Sequence, residues 1–213
     1  TPVVYAAISD PEAAGLTELK NVTGTSDALN TKQICDMMLT QNPNLKNVGL
    51  LYSKSEANSE KPIKDAKAYL DAKGIKYTEE TANTNDEVIA AATSLVASGV
   101  DAVFTPTDNV IMAAELAIAD TFADAKIPHY TGADSFVRNG AFATCGVNYT
   151  DLGTKTADLA YQAVSEGFDN IKDYTVMDGG IITINTDTAK KLNADSSIFA
   201  KFGKIVEVTT TKE

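Results

Sequence analysis

Val48-Gly-Leu-Leu-Tyr-Ser-Lys-Ser-Glu-Ala-Asn-Ser59 decides how this chain is read. Val48 to Tyr52 is a short apolar run without polar alternation, which suits a parallel strand covered on both faces. Ser53 to Ser59 is small, polar and acidic. Glu60 to Gly74 then reads as a helix, with Pro62 in its first turn and Gly74 as its C-terminal stop. Open α/β sheets place ligands at such junctions, outside the carboxyl ends of their strands.

Working outward, the same unit recurs. Ile75 to Glu80 leads to a helix of about 85–98, opened by the capping-box pattern Thr84-Asn-Asp-Glu87. Val100 to Phe104 leads through Thr105-Pro-Thr-Asp-Asn109 to a helix of about 110–123. Ile127 to Tyr130 precedes a short helical segment at Ser135 to Arg138, and Ala141 to Cys145 is one more strand. Strands alternating with helices of this length imply right-handed crossovers and a parallel sheet. An earlier helix, Asn30 to Gln41, carries Ile34, Met37 and Met38 on one face.

The flanks are thinner. Pro2 to Ile8 reads as a strand, Glu12 to Leu19 as a short helix, and Asn21 to Gly24 as an extended piece. Thr150 is the expected cap of a helix over Asp151 to Glu166. Beyond it come Tyr174 to Met177, then Asp178-Gly-Gly180, then Ile181 to Ile184, as a hairpin or as two strands in separate sheets. Asp187 to Leu192 reads as a helix and Ile205 to Val208 as a last strand. Residues 30–145 thus complete an α/β unit unaided, whereas 1–25 with 150–180 supply only a strand, a helix and little more.

The chain has 213 residues, 44% hydrophobic and 22% charged, with net charge −11. This acidity offers no phosphate-tracking basic face, so nucleic acid is not expected as a partner. No run approaches the apolar length of a membrane-spanning helix. Thr1 begins directly in a strand-like run, so the chain either is cytoplasmic or has lost a leader. Cys35 and Cys145 read as two buried thiols, with a disulfide as the alternative. His129 is the single histidine, expected as a partly buried structural residue.

In a doubly wound sheet the loops 53–59 and 105–109 face each other across the switch point. Both precede helix N-termini, whose free N–H groups favour a carboxylate. Glu56 and Asp108 suit an ammonium, and Ser55, Asn58, Ser59, Thr107 and Asn109 supply hydroxyls and amides to orient it. Together they fit a zwitterion, with Asp134 and Ser135 on the same rim. Tyr5, Tyr52 and Tyr149 are candidates to line a pocket for an apolar or aromatic side chain. No Gly-rich phosphate loop, GxSxG elbow or metal-ligand cluster is present, so binding without turnover and without a cofactor is the expectation.

Several blocks in this order resemble a known family: Ala6-Ala-Ile-Ser-Asp-Pro11, Asn21-Val-Thr-Gly24, Val48-Gly-Leu-Leu-Tyr52 with Ser55-Glu-Ala-Asn-Ser59, Thr105-Pro-Thr-Asp-Asn109, Cys145-Gly-Val-Asn-Tyr149 with Leu152-Gly153, and Ile182-Thr-Ile-Asn185. They are similar to substrate-binding proteins of ABC transporters, in the family that includes tryptophan and tyrosine binders. The resemblance implies a type I periplasmic-binding-protein fold, with doubly wound parallel sheets in two lobes joined by crossing strands. Residues 1–27 with 150–178 would form an incomplete first lobe, and 28–149 with 179–213 the second. Ligand would sit in the cleft, with Ser9 and Asp10 facing it from the first lobe and the loop residues above from the second. Hinge closure would then present the closed form to membrane permease subunits. Such proteins carry a signal or lipoprotein leader and further lobe-one strands that this chain lacks, leaving a sheet edge open to self-association. The alternative is the effector-sensing domain of a transcription regulator, which shares the fold.

Overall fold

The computed structural model describes residues 1–168, 171, 174–177 and 180–211. The chain packs as two compact units, Thr1–Leu29 with Val147–Gly179 and Asn30–Gly146 with Gly180–Glu213, and so passes between them three times.

In the first unit, β1 (Val3–Tyr5), β2 (Val22–Ser26) and β8 (Thr175–Val176) form a parallel sheet in the order β1-β2-β8. Helix α6 (Tyr149–Ser165) packs on β1 and β2 and buries Leu152, Leu159 and Ala163. Two expectations fail here for local reasons. The strand foreseen over residues 2–8 stops at Tyr5, and Ala7 turns the chain with φ of 54°. The helix foreseen over residues 12–19 is a series of turns, broken at Gly15 with φ of 66°. The cap of α6 is Asn148 rather than Thr150; its Oδ1 accepts the amides of Thr150 and Asp151, so the helix starts two residues early.

The second unit holds β3 (Asn47–Tyr52), β4 (Lys76–Thr81), β5 (Ala102–Thr105), β6 (His129–Thr131), β7 (Ala143–Gly146), β9 (Ile181–Asn185) and β10 (Lys204–Val208). They form one sheet in the order β10-β9-β7-β6-β5-β3-β4, parallel throughout except where β9 runs against β7. Five strands were expected over residues 30–145 and two more in the tail, at 181–184 and 205–208; both tail strands join this same sheet. β8 and β9 thus belong to separate sheets, and the turn foreseen at Asp178-Gly179 lies outside the described residues.

Helices α1 (Thr31–Gln41) and α2 (Ala57–Lys73) pack together, as do α3 (Asn85–Ala97) and α4 (Asn109–Asp124). Leu51 and Val103 pack into a core with Val88, Leu95, Ile111 and Phe122 from α3 and α4. Strand alternation sends Leu50, Phe104 and Tyr130 to the other face. There Tyr130 meets Phe142 and Phe199, ring centroids 5.5 and 6.4 Å away. Phe199 belongs to a 3-10 helix, Ser196–Phe202, which the sequence pattern does not announce.

Helix α2 starts at Ala57, three residues before the expected position, and ends at Gly74 with φ of 67°. Pro62 therefore lies in the second turn, not the first. Having no N–H, it gives the Asn58 carbonyl no helical bond. Cys35 and Cys145 are both buried and free.

Candidate functional site

β3 and β5 are neighbours, with Val48 beside Ala102 and Leu50 beside Phe104. The chain leaves β3 into α2 and β5 into α4, helices of the two opposite helical layers, so the strands flank the switch point. The segments 53–56 and 106–108 therefore emerge side by side. Asn109 Nδ2 donates to Glu56 Oε2 at 2.9 Å, and Asn58 Nδ2 donates to the Thr107 carbonyl.

Asp108 is the centre of this arrangement. It is 1% exposed, and its carboxylate accepts four hydrogen bonds. Oδ1 caps α4 by taking the amides of Val110 and Ile111, each at 3.1 Å. Oδ2 takes the Ser53 amide and the Ser59 hydroxyl, each at 2.7 Å. A role for Asp108 as direct partner of an ammonium meets a carboxylate already filled by donors. What it does in this structure is weld the loop after β3 to the loop after β5. Ser59 likewise is 1% exposed, with its hydroxyl given to Asp108.

The surface these buried groups support is made of Ser55, Glu56, Asn58, Thr107 and Asn109, all exposed or half-buried. Glu56 holds the cap position of α2 without bonding its amides through its side chain. The helix thus presents uncapped N–H groups next to a carboxylate. This juxtaposition offers both signs of partner within one small patch. Ser55 is held by its hydroxyl, 2.7 Å from Ser53 Oγ, which in turn donates to Asn83 Oδ1 at 2.9 Å.

The next strand, β6, leads into the segment that carries Asp134 and Ser135. Asp134 pairs with Arg138 within its own short helix, α5 (Asp134–Arg138), at 3.1 Å, and Ser135 follows it there. Gly132 matters more. A Cβ at this position would lie 2.5 Å from the Thr107 amide nitrogen, so only glycine lets β6 and the 106–108 segment come this close. Ser53, Asn83 and Gly132 are functional candidates that the sequence reading missed. A glycine at a strand's carboxyl end was the available signal for the last.

Tyr52 points its hydroxyl to Glu79 Oε2 at 2.9 Å. Burial, with Glu79 beside it, pushes the phenol up to about 12. In the first unit, Ser9 donates to Asp27 Oδ1 at 2.9 Å, and Tyr149 donates to Asp27 Oδ2 at 3.0 Å. Asp10 accepts the Ala13 amide at 2.9 Å. Asp27, which the sequence reading passed over, is thus the group that orients both Ser9 and Tyr149.

A family model described as ABC transporter substrate binding protein matches residues 1–197. A curated tyrosine-binding protein of Clostridioides difficile is 31% identical over 210 residues, covering 94% of this chain and 61% of the relative. A structure from Streptococcus pneumoniae in complex with L-Trp superposes with a TM-score of 0.83 at 29% identity, over 96% of this chain and 72% of that one. The ligand-free, open structure of a Clostridium difficile substrate-binding protein with adhesive properties gives 0.82 at 29% identity, over 99% of this chain and 72% of its own. The chain therefore spans about three-fifths of the length of its curated relative.

Proposed function

Because the chain belongs to the ABC transporter substrate-binding protein family, we propose that it is the solute-binding component of an ABC importer and takes an amino acid, an aromatic one by preference. The matching family model and a relative at 29% identity are described as substrate-binding proteins, which supports binding without turnover. The observation that carries the reading is the weld at Asp108. It fixes the uncapped amides of α2 beside Glu56 and Asn109, a patch suited to a carboxylate and an ammonium held a few ångströms apart. In this proposal Ser55, Glu56, Asn58, Thr107 and Asn109 meet the ligand, with Asp134 and Ser135 at the margin. Asp108 and Ser59 hold the patch in shape. Ser9 and Asp10 contribute from the first unit, and hinge closure retains the ligand for the permease.

The location that goes with this reading is extracytoplasmic, periplasmic or lipid-anchored at the cell surface. Among the described residues no helix is long and apolar enough to cross a membrane. The three-stranded sheet of the first unit leaves the outer edge of β1 without a partner strand among the described residues. Self-association through that edge belongs to the proposal.

The test is isothermal titration with L-tyrosine, L-tryptophan, an aliphatic amino acid and a neutral sugar. Saturable binding of the aromatic amino acids, with loss of affinity for their amide derivatives, is expected. Binding of the sugar alone would replace the reading.

A further inference from the structure

Behind the rim, Thr105, His129 and Glu115 form a continuous buried chain. His129 Nε2 lies 2.8 Å from Thr105 Oγ1, and Nδ1 lies 3.0 Å from Glu115 Oε1. The three residues are 0, 2 and 0% exposed. Phe122 closes over the imidazole, ring centroids 5.1 Å apart. Glu115 Oε2 has no hydrogen-bond partner among the described residues. With the Nδ1 proton toward Glu115, Nε2 accepts the Thr105 hydroxyl, and both bonds are satisfied. A hydroxyl, an imidazole and a carboxylate in line have the composition of a nucleophilic triad. Here, however, the hydroxyl is wholly buried, and no substrate reaches it.

Such a chain is a poor way to gain stability, since apolar residues of similar volume serve a core as well or better. Its placement suggests a different use. Thr105 is the last residue of β5, and Glu115 lies in the second turn of α4. Between them runs the segment that carries Thr107, Asp108 and Asn109. From the neighbouring strand β6, His129 grips both ends of that segment. One residue beyond β6, Gly132 abuts Thr107.

We propose that His129 is a positioning residue for the binding site. Through Thr105 and Glu115 it sets where the 106–109 segment stands relative to the β3–α2 loop, and so how tightly the patch holds an amino acid. This inference rests on the binding function proposed above. A structure-only role would make the chain a stability element with no effect on the loop.

The experiment compares Thr105→Val, which removes the hydroxyl while keeping the shape, with Thr105→Ser, which restores it. Glu115→Gln is a second probe of the chain. Phe199→Leu, on the opposite face of the sheet, is the destabilised control. Three quantities are read on the full chain: amide exchange at Asp108, Val110 and Ile111, the dissociation constants for L-tyrosine and L-tryptophan, and the two ring-nitrogen signals of the single histidine in nitrogen-15 spectra. Thr105→Val and Glu115→Gln should speed exchange at those amides by roughly tenfold beyond the control and weaken binding by about fivefold. Thr105→Ser should return both to near wild type, and the imidazole nitrogen signals should move when either amino acid is added. Loop exchange that matches the control overturns the inference, as does unchanged affinity with a loosened loop. Should the wild type bind neither amino acid while the amides still respond, the proposed function falls, and with it the effect on affinity, while the control of the 106–109 segment by the buried chain stands.

Discussion

Asp108 and Ser59 share a 2.7 Å hydrogen bond that joins the cap of one helix to the first turn of another, between residues 49 positions apart in sequence. With the Ser53 amide on the same oxygen, the bond makes one rigid object of two loops that parallel-sheet topology only brings near each other. Replacing Asp108 by Ala leaves two helix amides and a strand-end amide without acceptors in a buried place. The expected loss is about 3 kcal/mol of unfolding free energy, from a lost cap together with unsatisfied buried donors. Urea denaturation measures it, and Ser59→Ala should lose about a third as much.

Glu56 is the carboxylate at the surface of that object. Glu56→Gln keeps its hydrogen bond from Asn109 and removes the charge. Stability should stay within about 0.5 kcal/mol of wild type, while affinity for L-tyrosine falls by roughly tenfold. Paired thermal melts and calorimetric titration separate the two quantities. Equal affinity in the variant would remove Glu56 from the ammonium-binding role.

Gly132→Ala tests the close approach of β6 to the 106–108 segment. With the Thr107 nitrogen 2.5 Å from the new methyl group, backbone must move. The variant should lose about 1–3 kcal/mol of stability, and its binding should weaken more than that of Gly153→Ala, where the added methyl meets nothing within 4 Å.

Acid should weaken the fold partly through Glu79. Burial pushes its carboxyl up, but hydrogen bonds from Lys67 and Tyr52 and the Lys67 charge outweigh burial, so it titrates below its ordinary 4.5. A carboxyl lowered on folding contributes stability above its unfolded value and loses it as pH falls through the folded one. Asp36, lowered from 3.8 by Lys32 and Tyr69 against the opposing effect of burial, acts in the same direction. The urea midpoint should drop between pH 5 and pH 3, and Glu79→Gln should shrink that drop. An identical pH profile in the variant would show that Glu79 contributes none of it.

Burial, reinforced by Asp36, pushes the Cys35 thiol up to about 12, and burial raises Cys145 as well. The thiolate is the reactive form, so an aromatic disulfide reagent at pH 8 should modify native protein on the order of a thousandfold more slowly than unfolded protein. Two thiols should be counted after denaturation without reductant.

Much of this architecture is legible in the amino-acid sequence. The apolar run at Val48 to Tyr52, the stop at Gly74 and the cap at Thr84 are local signals, and the strand, the helix end and the helix start they foretell lie within a residue of the observed ones. Failures came where the deciding contact is remote. Asp108 looks like a helix cap from its own neighbours, and it is one; that it also binds Ser53, 55 residues away, cannot be read from a window of ten. Asn148 and Thr150 are both good caps by residue type, and it is Asn148 Oδ1 that takes the Thr150 and Asp151 amides. β9 and β10 extend the sheet through an antiparallel pairing that no alternation of strand and helix predicts.

That antiparallel pairing has a practical consequence. Gly146 stands opposite Ile181 across the ladder, so the second unit loses and regains the chain at one spot. Partners in such a ladder are about 5 Å apart, and a two-residue Asn-Gly turn spans that distance. The excursion from 147 to 179 is thus an insertion in the engineering sense. Deleting it, together with residues 1–29, should leave a continuous gene for a freestanding single-sheet protein.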